Sequence, residues 1–141
     1  MVVLDTNVVS ELMRGNPRDE VRGWVDGQRT RGLFVSSVTE AEIRAGVAVL
    51  PPGARRRALA DAVERMFADL FAGRVLPFDS PAARVYAEMY SVRRATGRPL
   101  ALADGQIAAI ARSRGMAVAT RNIADFEALG IELVDPWATI P

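Results

Sequence analysis

Short apolar runs separated by longer amphipathic stretches place the strongest constraint on how this chain can fold. Val2-Val3-Leu4, Leu33-Phe34-Val35, Val75-Leu76, Met116 to Ala119 and Ile131 to Val134 are short and mostly apolar, too short for helices, so each reads as a strand, the first of them buried on both faces. Alternation of such runs with helical spacing indicates an α/β domain around a parallel sheet. The expected helices start at Thr6 as cap and carry Val9, Leu12 and Met13; run roughly 18 to 28 with Val21, Trp24 and Val25 on one face; and extend from Ser36, Ser37 and Thr39 through Val49. Further helices are expected from Ala54 to Phe71, from Ser80-Pro81 to near Gly97, from about Leu100 to Ser113, and from Ile123 to Leu129. The chain has 141 residues, half of them hydrophobic, and reads as one domain over 1–141. It contains no internal repeat and no low-complexity segment.

Composition removes most familiar chemistries. Histidine and cysteine are both absent, which excludes a Ser-His-Asp triad, a Cys nucleophile, a disulfide framework and a zinc site of the N/S kind. All eighteen basic residues are arginines, so no P-loop lysine or Schiff-base lysine exists. The formal net charge of +1 gives no global basic field. The start of the chain reads as a strand rather than a basic leader, and no apolar run approaches the roughly 18 residues needed to cross a bilayer, so a soluble cytoplasmic protein is expected.

What remains is carboxylate chemistry. Asp5 follows the first strand, and Glu42 and Asp104 fall in the opening turns of expected helices. In open parallel sheets ligands collect beyond the carboxyl ends of the strands, where strand order reverses, and helix N-termini there favour anions. If the three acids converge, their mutual repulsion calls for a cation, and an all-oxygen set suits Mg2+ or Mn2+. For any one of them alone, capping a helix or serving its dipole is the commoner role.

The residues around these acids add a pattern. Val3-Leu4-Asp5-Thr6-Asn7, the segment Ser37 to Gly46 containing Glu42, the segment Leu102 to Ala111 containing Asp104, and Thr120 to Phe126 resemble, in order, the motifs of PIN-domain ribonucleases. The resemblance spans essentially the whole chain and is greatest to VapC toxins of the FitB-like branch, including the ending Val134-Asp135-Pro136-Trp137. It implies a PIN-like three-layer α/β/α sandwich with a central parallel sheet. It implies a Mg2+- or Mn2+-dependent endoribonuclease that leaves a 5'-phosphate and a 3'-hydroxyl, with Asp5, Glu42 and Asp104 organising the metal. A fourth acidic position in the loop after the fourth strand is occupied here by Asn122, while Asp125 lies three residues on; either assists, Asn122 as a neutral oxygen ligand or Asp125 as a carboxylate. A bound divalent ion lowers the pKa of its water, which removes the need for a histidine base. Thr6 and Thr120 are placed to hydrogen-bond the acids, and Asn7 to orient Asp5.

The same resemblance implies a cognate antitoxin whose C-terminal segment lies in the active-site groove, an RNA substrate, and a homodimer. The apolar residues Trp24, Leu50, Met89 and Tyr90 are available either for such partners or for the core. Arg44, Arg93, Arg94, Arg98, Arg112, Arg114 and Arg121 flank the motifs, where solvated faces or ion pairs are their more usual roles than a phosphate track. A different class of function is a toxin-like module that has lost catalysis and acts with an antitoxin in operator DNA binding; Asn122 in place of an acid favours it. A phosphatase using Asp5 as nucleophile is poorly supported, because Asn7 stands where a general acid is needed and lysine is absent.

Overall fold

A computed structural model describes residues 1–29 and 32–138. Strands β1 (Val2–Leu4), β2 (Leu33–Ser36), β3 (Val75–Leu76), β4 (Ala117–Ala119) and β5 (Leu133–Val134) form one parallel sheet in the order β3-β2-β1-β4-β5. Strand β1 is central, with Val3 opposite Phe34 on one side and Val118 on the other. The helices are α1 (Thr6–Leu12), α2 (Asp19–Asp26), α3 (Ser37–Ala48), α4 (Ala54–Arg65), α5 (Ser80–Ala95), α6 (Leu102–Ser113) and α7 (Ile123–Phe126).

The central strand divides the core by its own alternation. Val2 and Leu4 face a cluster that includes Val8, Val9, Val21, Ile43, Val63 and Phe71, supplied by α1 to α4 and the segment after α4. Val3 faces the opposite cluster, where Met89, Ile107, Ile110 and Phe126 come from α5 to α7. The chain therefore winds first along one edge of β1 and then crosses to the other, which puts the reversal of strand order between β1 and β4 and yields three layers. Helices α5 and α6 approach closely at Gly105, where a Cβ would stand 2.8 Å from a Tyr86 ring carbon and 2.9 Å from Leu100. Any side chain there would force the Tyr86 ring or the Leu100 side chain to move.

Several expected boundaries shift for identifiable reasons. Thr6 does not cap α1: Asp5 does, accepting from the Thr6 N–H at 2.8 Å, because the extended backbone at Asp5 aims its short carboxylate at the first free amide. Among the three hydroxyls before α3, Ser36 is the cap, accepting from the Thr39 N–H at 3.0 Å. The helix expected over Ala54 to Phe71 is α-helical only to Arg65; Met66–Leu70 form a π turn in which Phe71 N–H donates to Met66 O, five residues back. Apolar periodicity carries no sign of such a slip. Helix α7 stops at Phe126 rather than Leu129, since the backbone becomes extended at Glu127 and left-handed at Ala128 (φ 63°). Among the residues offered as partner contacts, Met89 is buried core, whereas Tyr90 is 44 % exposed and stacks on Tyr86. No helix among the described residues is long and apolar enough to cross a membrane.

Candidate functional site

The carboxyl ends of β1 and β4 project two residues into the reversal point. Asp5 continues β1 by donating its N–H to Ala119 O at 2.9 Å, and Thr120 continues β4 by donating to Val134 O at 2.9 Å. Both are buried. Their side chains meet: Thr120 Oγ1 donates to Asp5 Oδ2 at 2.8 Å, while Thr6 N–H holds Oδ1. Thr120 Oγ1 also accepts from Asn122 N–H at 3.0 Å and Asn7 Nδ2 at 3.4 Å, so its donor and both lone pairs are used. Asn7 thus touches Asp5 only through Thr120, contrary to direct orientation. Its Oδ1 accepts from Arg121 N–H at 3.4 Å, which ties α1 to the loop after β4.

Glu42 enters from the second turn of α3. Its Oε1 accepts from Thr6 Oγ1 at 2.7 Å, and Thr6 Oγ1 lies 2.9 Å from Thr39 Oγ1. Thr6 has one hydroxyl proton and directs it to Glu42, so Thr39 donates to Thr6. Asp104 comes from the first turn of α6, whose buried Ile107, Ala108 and Ala111 anchor that helix behind it. A cleft of about 540 Å3 is lined by Asp5, Glu42 and Asp104 together with Asn122. Asp125 does not line it, yet its charge reaches both Asp5 and Asp104.

Electrostatics follow from this crowding. Burial pushes the Asp104 carboxyl up to about 6, with the charges of Asp5, Asp125 and Glu42 adding to the rise and Arg93 opposing it. Asp5 is also raised by burial, against the lowering hydrogen bonds from Thr120 and Thr6. Arg93 is the buried countercharge: its Nη2 donates to Asp125 O at 2.9 Å and Glu127 O at 3.0 Å, clamping the turn that passes through Ala128, while its Nε has no partner. Sequence patterning did not single it out, because a buried arginine bonded to carbonyls leaves no charge pair to read.

A divalent ion fits the chemistry of this donor set, which is made entirely of hard oxygens, carboxylate and amide. Among the described residues no three acidic side chains are grouped tightly enough, as placed, to hold an ion by themselves.

Glu11 and Arg14 also line the cleft and went unnoticed in the sequence. Glu11 is buried and pairs with Arg14 at 3.1 Å. The available signal was spacing: Asn7, Glu11 and Arg14 recur at helical intervals on one face of α1 and its end. Most of the flanking arginines are engaged away from the cleft, Arg93 by the carbonyls of Asp125 and Glu127. Arg44 is engaged by Glu40 and Glu64, Arg112 by Glu88, Arg114 by Asp79, and Arg98 by Ala124 O. Of the flanking set, only Arg121 lines the cleft, with its guanidinium 5.2 Å from the ring centroid of Trp137.

The chain matches the PIN domain over residues 2–131. It is 43 % identical over 137 residues to VapC ribonuclease Y4jK of Sinorhizobium fredii, covering 97 % of this chain and 98 % of that protein. It is 41 % identical over 137 residues to Toxin FitB of Neisseria gonorrhoeae, covering 97 % and 99 %. The structure of FitAB bound to an IR36 DNA fragment superimposes with a TM-score of 0.93 at 40 % identity, covering 100 % of this chain and 99 % of that one. With its fold, its ordered motifs and its near full-length relatives in agreement, the chain belongs to the PIN-domain family.

Proposed function

We propose that this protein is a Mg2+- or Mn2+-dependent endoribonuclease and the toxin of a type II toxin-antitoxin pair acting in the cytoplasm. The observation that carries this reading is the convergence of Asp5, Glu42, Asp104 and Asn122 on one cleft at the reversal point of the sheet, with the Asp104 carboxyl raised by burial and, less, by its acidic neighbours. Similarity to VapC ribonuclease Y4jK and Toxin FitB supports the activity and the biological role. Asp5, Glu42 and Asp104 would hold the ion directly or through its bound waters, with Asn122 as a neutral oxygen ligand. Once bound, the ion supplies an activated water and stabilises charge on the phosphodiester.

The chain's own residues perform the rest. Thr120 and Thr6 fix both oxygens of Asp5, so that it meets the ion in one orientation. Thr39 and Thr6 form a relay of hydroxyl donors that holds Glu42 toward the cleft. Asp125, exposed outside the lining and clamped through its carbonyl by Arg93, contributes negative charge that strengthens retention of a cation. An apolar groove of about 690 Å3, lined by Met13, Val47, Leu50 and Leu59, shares Thr6, Ser10, Arg14 and Glu42 with the cleft. It suits the C-terminal segment of an antitoxin that would cover the acids, a partnership that similarity to FitAB supports.

Cleavage of a structured RNA with and without Mn2+ tests the reading. The parent is expected to cut only with the ion, and Asp5→Asn and Asp104→Asn to lose at least about a hundredfold, the scale on which single charged groups at a reacting centre act. Variants that cut as well as the parent would falsify the assignment. The alternative, a non-catalytic module acting with an antitoxin on operator DNA, is favoured by Asn122 and by the DNA-bound FitAB structure. It requires that Mn2+ produce neither turnover nor a rise in melting temperature.

A further inference from the structure

We propose that Arg121, seated over Trp137 at the rim of the acidic cleft, is the contact for a backbone phosphate of the RNA next to the one that is cut. The inference rests on the ribonuclease reading above and extends it to a specific substrate contact. A cleft lined by carboxylates repels a polyanion, and the net charge of +1 gives the chain no general field to overcome this. The cleft lining contains two cations. Arg14 is engaged by the buried Glu11, whereas Arg121 makes no ion pair among the described residues despite sharing the cleft with Asp5, Glu42 and Asp104.

Trp137 explains why Arg121 stays free. Trp137 packs, partly buried, against the core cluster on that side of the sheet, and its backbone N–H donates to Asp135 Oδ1 at 2.9 Å, so it is a fixed shelf. The guanidinium sits 5.2 Å from the ring centroid, where the π face attracts it and keeps it off the acids. At its other end the Arg121 N–H is tied to Asn7 Oδ1, directly after the Thr120 that holds Asp5. A planar fork with unused donors, pre-oriented beside the acidic centre, is suited to phosphate oxygens. An arginine whose task was to neutralise the acids would sit in an ion pair with them.

The test is binding of a fluorescent oligouridylate by the full chain in EDTA across a sodium chloride series, with cleavage of the same RNA in Mn2+ measured in parallel. Arg121→Gln is expected to weaken binding about tenfold at low salt and to reduce the slope of log affinity against log salt by about 0.7, the loss of one single-strand phosphate contact. In Mn2+ its KM should rise more than its kcat falls, because the contact lies away from the reacting atoms. Trp137→Leu should weaken binding about threefold with the slope kept, and Trp137→Phe should restore most of it, since an aromatic face is regained. Loss of affinity by Arg121→Gln equal at every salt concentration, or an unchanged slope in a parent that binds and cleaves, overturns the inference and leaves the ribonuclease reading intact. A parent that neither binds nor cleaves overturns both.

Discussion

Removing the charge of Asp104 is expected to stabilise the metal-free protein while abolishing its activity. In the folded chain this carboxyl holds its proton up to about 6 against an ordinary 3.8, because burial and the charges of Asp5, Asp125 and Glu42 outweigh Arg93. The displacement corresponds to about 3 kcal/mol at about 1.4 kcal/mol per pH unit. Asp104 is only half-buried, and solvent screening reduces the effective cost of its charge to about 1.5 kcal/mol. Asparagine also gives up an anion in the first turn of α6, about 0.5 kcal/mol. The net expectation for Asp104→Asn above pH 7 is therefore about 1 kcal/mol of added stability, or a urea midpoint about 0.6 M higher at an m-value of about 1.7 kcal/mol/M. The pH dependence fixes the cause. Between about pH 4 and pH 6 the folded parent carries more protons on this group than the unfolded chain, so its stability falls as pH rises through that window, and the variant lacks this loss. Urea unfolding in EDTA at pH 4 and pH 7.5 should show the gain only at the higher pH, and saturating Mn2+ should reverse the order by stabilising the parent alone. A variant no more stable than the parent at pH 7.5, or equally stabilised at both pH values, refutes the argument.

Other perturbations probe the supports of the cleft. Arg93→Met should cost about 2 kcal/mol by freeing two carbonyls, with faster hydrogen exchange confined to the segment from Asn122 to Leu129; unaltered exchange there would deny the clamp. Gly105→Ala should destabilise by about 1 to 2 kcal/mol despite the better helix propensity of alanine, and Leu100→Ala in the same chain should recover part of the loss by making room for the Cβ; additive costs in chemical denaturation would exclude the collision. Thr120→Val removes the hydroxyl that holds Asp5 Oδ2, so the Asp5 pKa should rise further and the pH at which half of the Mn2+ affinity is lost should move upward, whereas Thr120→Ser should keep both near the parent values by calorimetric titration.

Sequence alone determined the layers and the chemical class. Apolar runs of three or four residues can be satisfied only by burial on both faces, so β1, β2 and β4 and the intervening helices were readable to within a few residues. The absence of histidine, cysteine and lysine left carboxylates and arginines as the charged groups available, and the ordered motifs around Asp5, Glu42 and Asp104 gave the family. Tertiary structure decided what those residues face. Periodicity reports which side of its own element a residue occupies, but convergence depends on the chain crossing from one edge of β1 to the other, which brings Thr120 to Asp5 across 115 positions of sequence. For the same reason only the fold could show that Asn122 lines the cleft while Asp125 does not, and that Arg93 is a buried clamp. The separation of Arg121 from the other flanking arginines is likewise tertiary: each had the same charge in the sequence, and only their neighbours in space left this one on an aromatic shelf with its donors free.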